Sequence, residues 1–141
     1  MVGTLGGVSV LGSGVVRANY TTSNSGLKHN WVTSVAKVGD AWFVGTYGAG
    51  VVRYSSASGW ESFADVQALG ADAVINPNAL LVTPTKVYAG TLGRGLWIYD
   101  RTTERWSAWT DGLPSWNVTA LASDGTHIYV GTDNGLVSIR L

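Results

Sequence analysis

The chain has no cysteine, so no disulfide, thiolate nucleophile or cysteine-held metal is available to it. Charge is scarce too: 13% of residues are charged, nine basic against nine acidic. Nucleic-acid binders usually carry a basic surplus that neutralises phosphates, and its absence excludes nucleic acid as an expected partner. No polybasic run or basic amphipathic stretch is present to hold a membrane surface. The longest apolar runs are strand-length, too short for a spanning helix. Met1 leads almost directly into a repeated motif, without the basic region and apolar core of a secretory signal. These absences leave the cellular location open.

Nineteen glycines and seven tryptophans are what the chain has in quantity. They are organised by one phrase, clearest as Ile128-Tyr129-Val130-Gly131-Thr132-Asp133-Asn134-Gly135-Leu136. It recurs as Trp42-Phe43-Val44-Gly45-Thr46-Tyr47-Gly48-Ala49-Gly50-Val51 and as Val87-Tyr88-Ala89-Gly90-Thr91-Leu92-Gly93-Arg94-Gly95-Leu96. A short copy, Val2-Gly3-Thr4-Leu5-Gly6-Gly7-Val8, opens the chain. The glycines of the Gly-Thr step stand at 3, 45, 90 and 131, so the steps are 42, 45 and 41 residues. A period of about 40–45 residues built from short strands is the signature of a propeller blade.

The internal layout repeats as well. Val32, Pro77 and Val118 each lie 13 residues before their Gly-Thr marker and are expected to open inner strands, 32–38, 77–83 and 118–123. Turns follow, among them Asp124-Gly125, a strong hairpin signal. The second strands are the runs from Trp42, Val87 and Ile128, apolar on both faces as befits strands sandwiched between blades. Third strands are expected at 8–11, 51–54, 96–99 and 136–141, and fourth strands at 15–21, 60–63 and 106–110. Gly50, Gly95 and Gly135 are expected at positive φ in the turns between them. Only 64–69 reads as helical, inside a loop longer than its counterparts.

The last repeat carries a family likeness. Gly112-Leu113-Pro114-Ser115-Trp116-Asn117-Val118, followed by Tyr129-Val130-Gly131-Thr132 and Gly135-Leu136, resembles the bacterial two-component-regulator propeller repeat. Gly26-Leu27-Lys28 keeps the Gly-Leu of that pattern without the proline, and the repeat at Ala71 has neither. The resemblance implies a β-propeller of the kind found in extracytoplasmic sensor halves of signalling proteins, and it brings no catalytic residues.

The fold expected is therefore an all-β propeller module over residues 1–141, with three four-stranded blade repeats of about 41–45 residues. Three blades do not close a ring, since propellers typically have four to eight. The chain is also cut out of phase, so its terminal strands are expected to be shared with a second copy. A homodimer would then close a six-bladed ring. The competing reading is a segment excised or engineered from a longer propeller, with no function of its own.

Loops from fourth to inner strand and from second to third strand gather on the channel face. There the sequence places Tyr47, Arg94 and Asp133 from the Gly-Thr turns, with Arg94 and Asp133 read as the same step of the repeat. Asn30, Trp31, Asn76, Trp116 and Asn117 come from the other loops. Aromatic rings beside amides suit sugars or small polar ligands. Trp31 and Trp116 have a plain alternative as wedges between blades, and Asp133-Asn134-Gly135 as an ordinary hairpin turn. Arg94 has no turn role that needs arginine, which makes it the most suggestive polar residue. His29 and His127 fall at opposite ends of the blades, so no metal pair or Ser–His–carboxylate set is expected, and no cofactor. The function expected is a non-catalytic binding or sensing module that takes a small polar ligand or a protein partner. A lectin-like oligomer that binds carbohydrate is the alternative.

Overall fold

Each Gly-Thr step ends one strand and hands the chain to the next through a glycine turn. A computed structural model describes all residues, Met1–Leu141. The first sheet holds β1 (Val2–Thr4), β2 (Gly7–Gly12) and β3 (Val15–Tyr20). The second holds β4 (Val32–Val38), β5 (Ala41–Thr46), β6 (Val51–Ser55) and β7 (Gly59–Ser62). One helix, α1 (Ala64–Gly70), intervenes where the sequence suggested it. The third sheet holds β8 (Ile75–Val82), β9 (Lys86–Thr91), β10 (Leu96–Asp100) and β11 (Arg105–Trp109). The fourth holds β12 (Val118–Ser123), β13 (His127–Thr132) and β14 (Gly135–Arg140). Strands pair antiparallel with their sequence neighbours throughout.

The architecture is all-β, four sheets side by side, and no ring closes within this chain. The expectation of three four-stranded repeats is corrected: only the second and third sheets have four strands. The first lacks an inner strand and the fourth an outer one, because the chain is out of phase with the sheets.

The threonine of the marker acts as a clamp. Its hydroxyl donates to the carbonyl of the turn glycine at all four copies: Thr4 to Gly7 (3.0 Å), Thr46 to Gly50 (2.9 Å), Thr91 to Gly95 (2.6 Å) and Thr132 to Gly135 (2.8 Å). The same oxygen accepts a backbone N–H from inside the turn, from Gly6, Ala49, Arg94 and Asn134 respectively. A serine could make both bonds, but a β-branched residue also suits the strand end. Gly50, Gly95 and Gly135 have φ of 62°, 80° and 126°, as expected.

The glycine of the marker serves the seam between sheets. A Cβ on Gly3 would lie 2.5 Å from Val32 Cγ1, one on Gly45 2.8 Å from Ile75 Cγ2, and one on Gly90 2.6 Å from the Val118 carbonyl oxygen. Each of those neighbours opens the inner strand of the next sheet. The second strand thus presses its backbone against the following sheet, which only glycine permits.

Those contacts also correct the register of the third repeat. Val32 pairs with Thr46 and Val118 with Thr132, and the residue that pairs with Thr91 is Ile75, not Pro77. All three inner strands are bulged next to this pair. The third runs from Ile75 to Leu80 where the others run from Val32 to Val35 and from Val118 to Leu121. Two extra residues are accommodated around Pro77, which has no N–H to offer the ladder, and Asn78, at φ 56°. The constant spacing of 13 therefore counted into the bulge.

The core lies in the seams. Phe43, Phe63, Ile75, Trp97, Tyr99 and Trp106 fill the one between the second and third sheets. Val8, Leu27, Val32, Val44 and Val52 fill the preceding seam, and Tyr88, Leu96, Val118, Ile128 and Val130 the following one. Each large apolar side chain fully buried there stabilises the fold by about 1.5–3 kcal/mol. Leu136 breaks the pattern. Its equivalents Val8, Val51 and Leu96 are at most 1% exposed, whereas Leu136 is 67% exposed.

Candidate functional site

Because each sheet is an antiparallel meander, the loops entering inner strands and the Gly-Thr turns share one end of all four sheets. Within each of the last three sheets one backbone bond ties the two loop sets together: Tyr47 N–H to the Trp31 carbonyl, Leu92 N–H to Val74 and Asp133 N–H to Asn117. These bonds make Tyr47, Leu92 and Asp133 the equivalent residues. Arg94 matches Ala49 and Asn134, whose N–H groups likewise bond the clamp threonine. The reading of Arg94 and Asp133 as one step of the repeat is therefore corrected. The third turn has one residue more than the fourth between its threonine and its closing glycine.

Two groups of candidate residues come together. The rings of Trp31 and Tyr47 stack with centroids 4.2 Å apart and planes 18° from parallel. Both stay open to solvent, 41% and 36% exposed, so Trp31 is no buried wedge. Trp116 is more open still, at 54%. His29 orients the aromatic loop: its Nδ1 accepts the Trp31 N–H at 3.1 Å, and its ring packs over Gly48.

The second group is a polar row across the third and fourth sheets. Buried Asn76 donates from Nδ2 to the Val118 carbonyl (2.6 Å) and to Asn117 Oδ1 (3.0 Å). Asn117 in turn donates from its own Nδ2 to Asp133 Oδ2 at 3.2 Å. The Ser115 hydroxyl, and then the Asn117 amide, hold the Asp133 carboxyl below the ordinary aspartate range. The backbone carbonyl of Asn76 also accepts the Ser34 hydroxyl at 3.1 Å, so the row is anchored in the second sheet.

Arg94 stands apart from both groups and has a partner the sequence did not suggest. Its Nη2 donates to Asp72 Oδ1 at 2.7 Å, and Nη1 reaches the Leu69 carbonyl at 3.4 Å. It therefore fastens the loop that contains α1. The signal for this was the insertion itself, since a loop with no counterpart needs a tether with none. Asn30 is engaged as well, accepting the Thr22 N–H on Oδ1 at 2.8 Å. His127 sits at the other end of its sheet, where Asp124 accepts its backbone N–H, so the two histidines do not meet.

No family model matches the chain, and no curated protein does. Solved structures do. The chain is similar to the extracellular domain assigned to a one-component system of B. thetaiotaomicron, at 29% identity and a TM-score of 0.75. That likeness covers 99% of this chain and 19% of the other. An extracellular domain assigned to a hybrid two-component system of the same organism is similar over 81% of this chain and 16% of its own, at 21% identity and TM-score 0.60. The computationally designed protein Ika8 is similar over 91% of this chain and 37% of its own, at 20% identity and TM-score 0.64. At these last two identities the likeness is one of fold alone. The chain spans about a fifth of the length of the first of these structures.

Proposed function

We propose that this chain is a β-propeller segment that binds or senses a ligand and performs no catalysis. The single observation that carries the reading is the exposed Trp31–Tyr47 stack on the face shared by the Gly-Thr turns. Large exposed aromatics at one end of a rigid sheet array mark a recognition surface. The likeness to extracellular domains of one- and two-component systems supports a sensory setting outside the cytoplasm. No helix is long and apolar enough to cross a membrane. Openness of the Trp31 and Trp116 rings favours carbohydrate as the ligand in a second, lectin-like reading, through ring stacking.

A second copy of the chain is proposed to cover the exposed ends of the array. Leu136 at one end, and Val15 and Val16 (54% and 51% exposed) at the other, are apolar and face solvent in a single copy. Sharing one blade has a constraint, because β2 and β14 are both third strands. One of them, together with one of the two second strands β1 and β13, has to leave its present pairing for four strands to remain. Light scattering at micromolar concentration should read twice 14.8 kDa, and a soluble monomer refutes the assembly.

Binding is tested separately, with a glycan array and a panel of small polar ligands read by tryptophan fluorescence. Trp31→Ala should lower affinity at least tenfold for the ligand that the panel shows to bind most tightly. Affinity for that ligand untouched by Trp31→Ala refutes this face. Turnover of an oligosaccharide that disappears in Asp133→Asn refutes the non-catalytic reading.

A further inference from the structure

Corresponding seams between sheets are built alike, which makes their differences informative. Across the first seam the hydroxyls of Tyr20 and Tyr54 bond each other at 3.1 Å, with ring centroids 5.2 Å apart. Register makes Phe63 the counterpart of Tyr20, and Tyr99 the counterpart of Tyr54. Tyr99 is only 3% exposed, and its ring packs on Phe43, Phe63 and Trp106 at 5.0, 5.6 and 5.3 Å. Its hydroxyl, however, meets no phenol, because Phe63 has none to offer. What bears on it is the Arg53 guanidinium, as a hydrogen-bond donor, and the charges of Glu104 and Arg101; arginine cannot accept, so the phenol's own O–H is left for another acceptor. A buried phenol of this kind normally finds a hydrogen-bond partner.

Tyr99 lines a cleft of about 420 Å³ between the second and third sheets. This volume lies within the usual range for small-molecule sites, about 300–1,000 Å³. The cleft opens at the end of the sheets where Asp40, Ser55 and Arg101 turn the chain, opposite the Trp31–Tyr47 face. Arg53 stands where the other sheets have Val10, Ile98 and Ser138, so nothing in the repeat calls for a charge there. Its Nη2 lies 2.5 Å from Glu61 in its own sheet and its Nη1 3.5 Å from Glu104 in the next. The guanidinium is steadied over the Phe63 ring, 5.3 Å from its centroid. Arg101 donates Nη1 to the Thr83 carbonyl at 2.7 Å, which leaves other N–H groups of its fork for another acceptor.

We propose that this inter-sheet cleft binds a neutral, polyhydroxylated molecule of monosaccharide size. The lining charges decide the class. Asp40, Glu61 and Glu104 outnumber Arg53 and Arg101 by one, which disfavours an anion, and neither arginine is without an acceptor. A cation would have to compete with Arg53 for the glutamates. Adjacent hydroxyl groups fit better, since each both donates and accepts. They can meet a guanidinium edge, a carboxylate oxygen and the Tyr99 hydroxyl in turn. Burial first, and then Glu104, push the Tyr99 phenol above its usual range, so it remains a neutral hydroxyl able to donate.

The test is a titration of the whole chain followed by backbone amide NMR, with neutral monosaccharides and cyclitols against acetate, phosphate and alkylammonium ions. Polyols should shift the amides of residues 53, 61, 99 and 104. Phe63→Tyr supplies the missing phenol. It should raise Tm while weakening polyol binding at least fivefold, a pairing of effects that a purely structural role for Tyr99 does not produce. Tyr99→Phe should also weaken binding at least fivefold, whereas Tyr54→Phe at the first seam should leave it unchanged. Trp31→Ala should not alter it either, which separates this site from the opposite face. No shift with any polyol at 50-fold excess over protein, preference for the ions, or full binding by Phe63→Tyr each overturns the proposal.

Discussion

Replacing Gly90 by alanine tests the idea that glycine at the marker exists for the seam. The added methyl would sit 2.6 Å from the Val118 carbonyl oxygen, 2.9 Å from Val118 Cγ1 and 3.0 Å from Ala79 Cβ. Two of those atoms are held by an inner strand, and the third by the strand paired with Gly90. No flexible side chain is available to move aside, so β12 has to shift. Overpacking of this sort costs about 1–3 kcal/mol. The intrinsic gain from replacing a strand glycine offsets about 0.5–1 kcal/mol of it. A net loss of about 1–2 kcal/mol should lower Tm by about 3–8 °C for a chain of this size. The same change at Gly131 has no following sheet to strike. Its nearest neighbour is Ala120 Cβ at 3.3 Å, within its own sheet. Gly131→Ala should therefore leave the melt within about 2 °C of the parent when measured on the monomer. Circular dichroism melts of the two variants, at several protein concentrations, make the comparison. Equal melts for Gly90→Ala and the parent, or equal damage from both variants, would refute the seam argument.

Acid should expose a second dependence. Lys86 first, then the backbone N–H groups of Thr103 and Thr102, hold the Asp100 carboxyl at about 2. Its folded value is depressed, so its stabilisation is complete above the unfolded value near 4 and is lost as pH falls towards 2. Asp100→Asn should flatten the stability curve between about pH 4 and 2, as read by urea melts. Asn76→Ala removes a buried amide that bonds Val118 and Asn117, and should cost about 1–3 kcal/mol by leaving the Val118 carbonyl unpaired. A double-mutant cycle on Arg94 and Asp72, 40% and 83% exposed, should return a coupling of about 0.2–1 kcal/mol. Protease cleavage within residues 64–73 should quicken in both single variants.

The strands were legible because the period is strict, and nearly every boundary falls within a residue or two of expectation. Legibility failed where one repeat differs from the rest. Pro77 satisfied the count of 13 that Val32 and Val118 satisfy, yet two extra residues in the bulge make Ile75 the true counterpart. A spacing rule cannot reveal an insertion inside the strand it counts across. Arg94 looked free because its partner, Asp72, lies in a loop with no equivalent in the other repeats. Of the proposed channel-face residues, Asn76, Asn117 and Asp133 do form one row, and Trp31 and Tyr47 do stack. Those pairings depend on which loop lies beside which, and adjacency of sheets supplies that once the repeat is recognised.

The cleft lay outside that reading for a related reason. Aligning repeats draws attention to what recurs, and recurrence here reports the scaffold: the threonine clamp, the close-approach glycine, the aromatic seam. Chemistry that serves one ligand is expected where a single copy departs from the scaffold without a folding reason. Arg53 in a column of Val10, Ile98 and Ser138 is such a departure, and so is Phe63 opposite a tyrosine whose counterpart has a hydroxyl partner. Both were visible in the sequence, but only the register joins them. It puts Arg53 and Glu61 directly opposite each other on β6 and β7, and the packing of the next sheet brings Tyr99 and Glu104 to the same place. Two independent departures that converge on one cleft are hard to attribute to drift in a solvated face, where either alone would be ordinary.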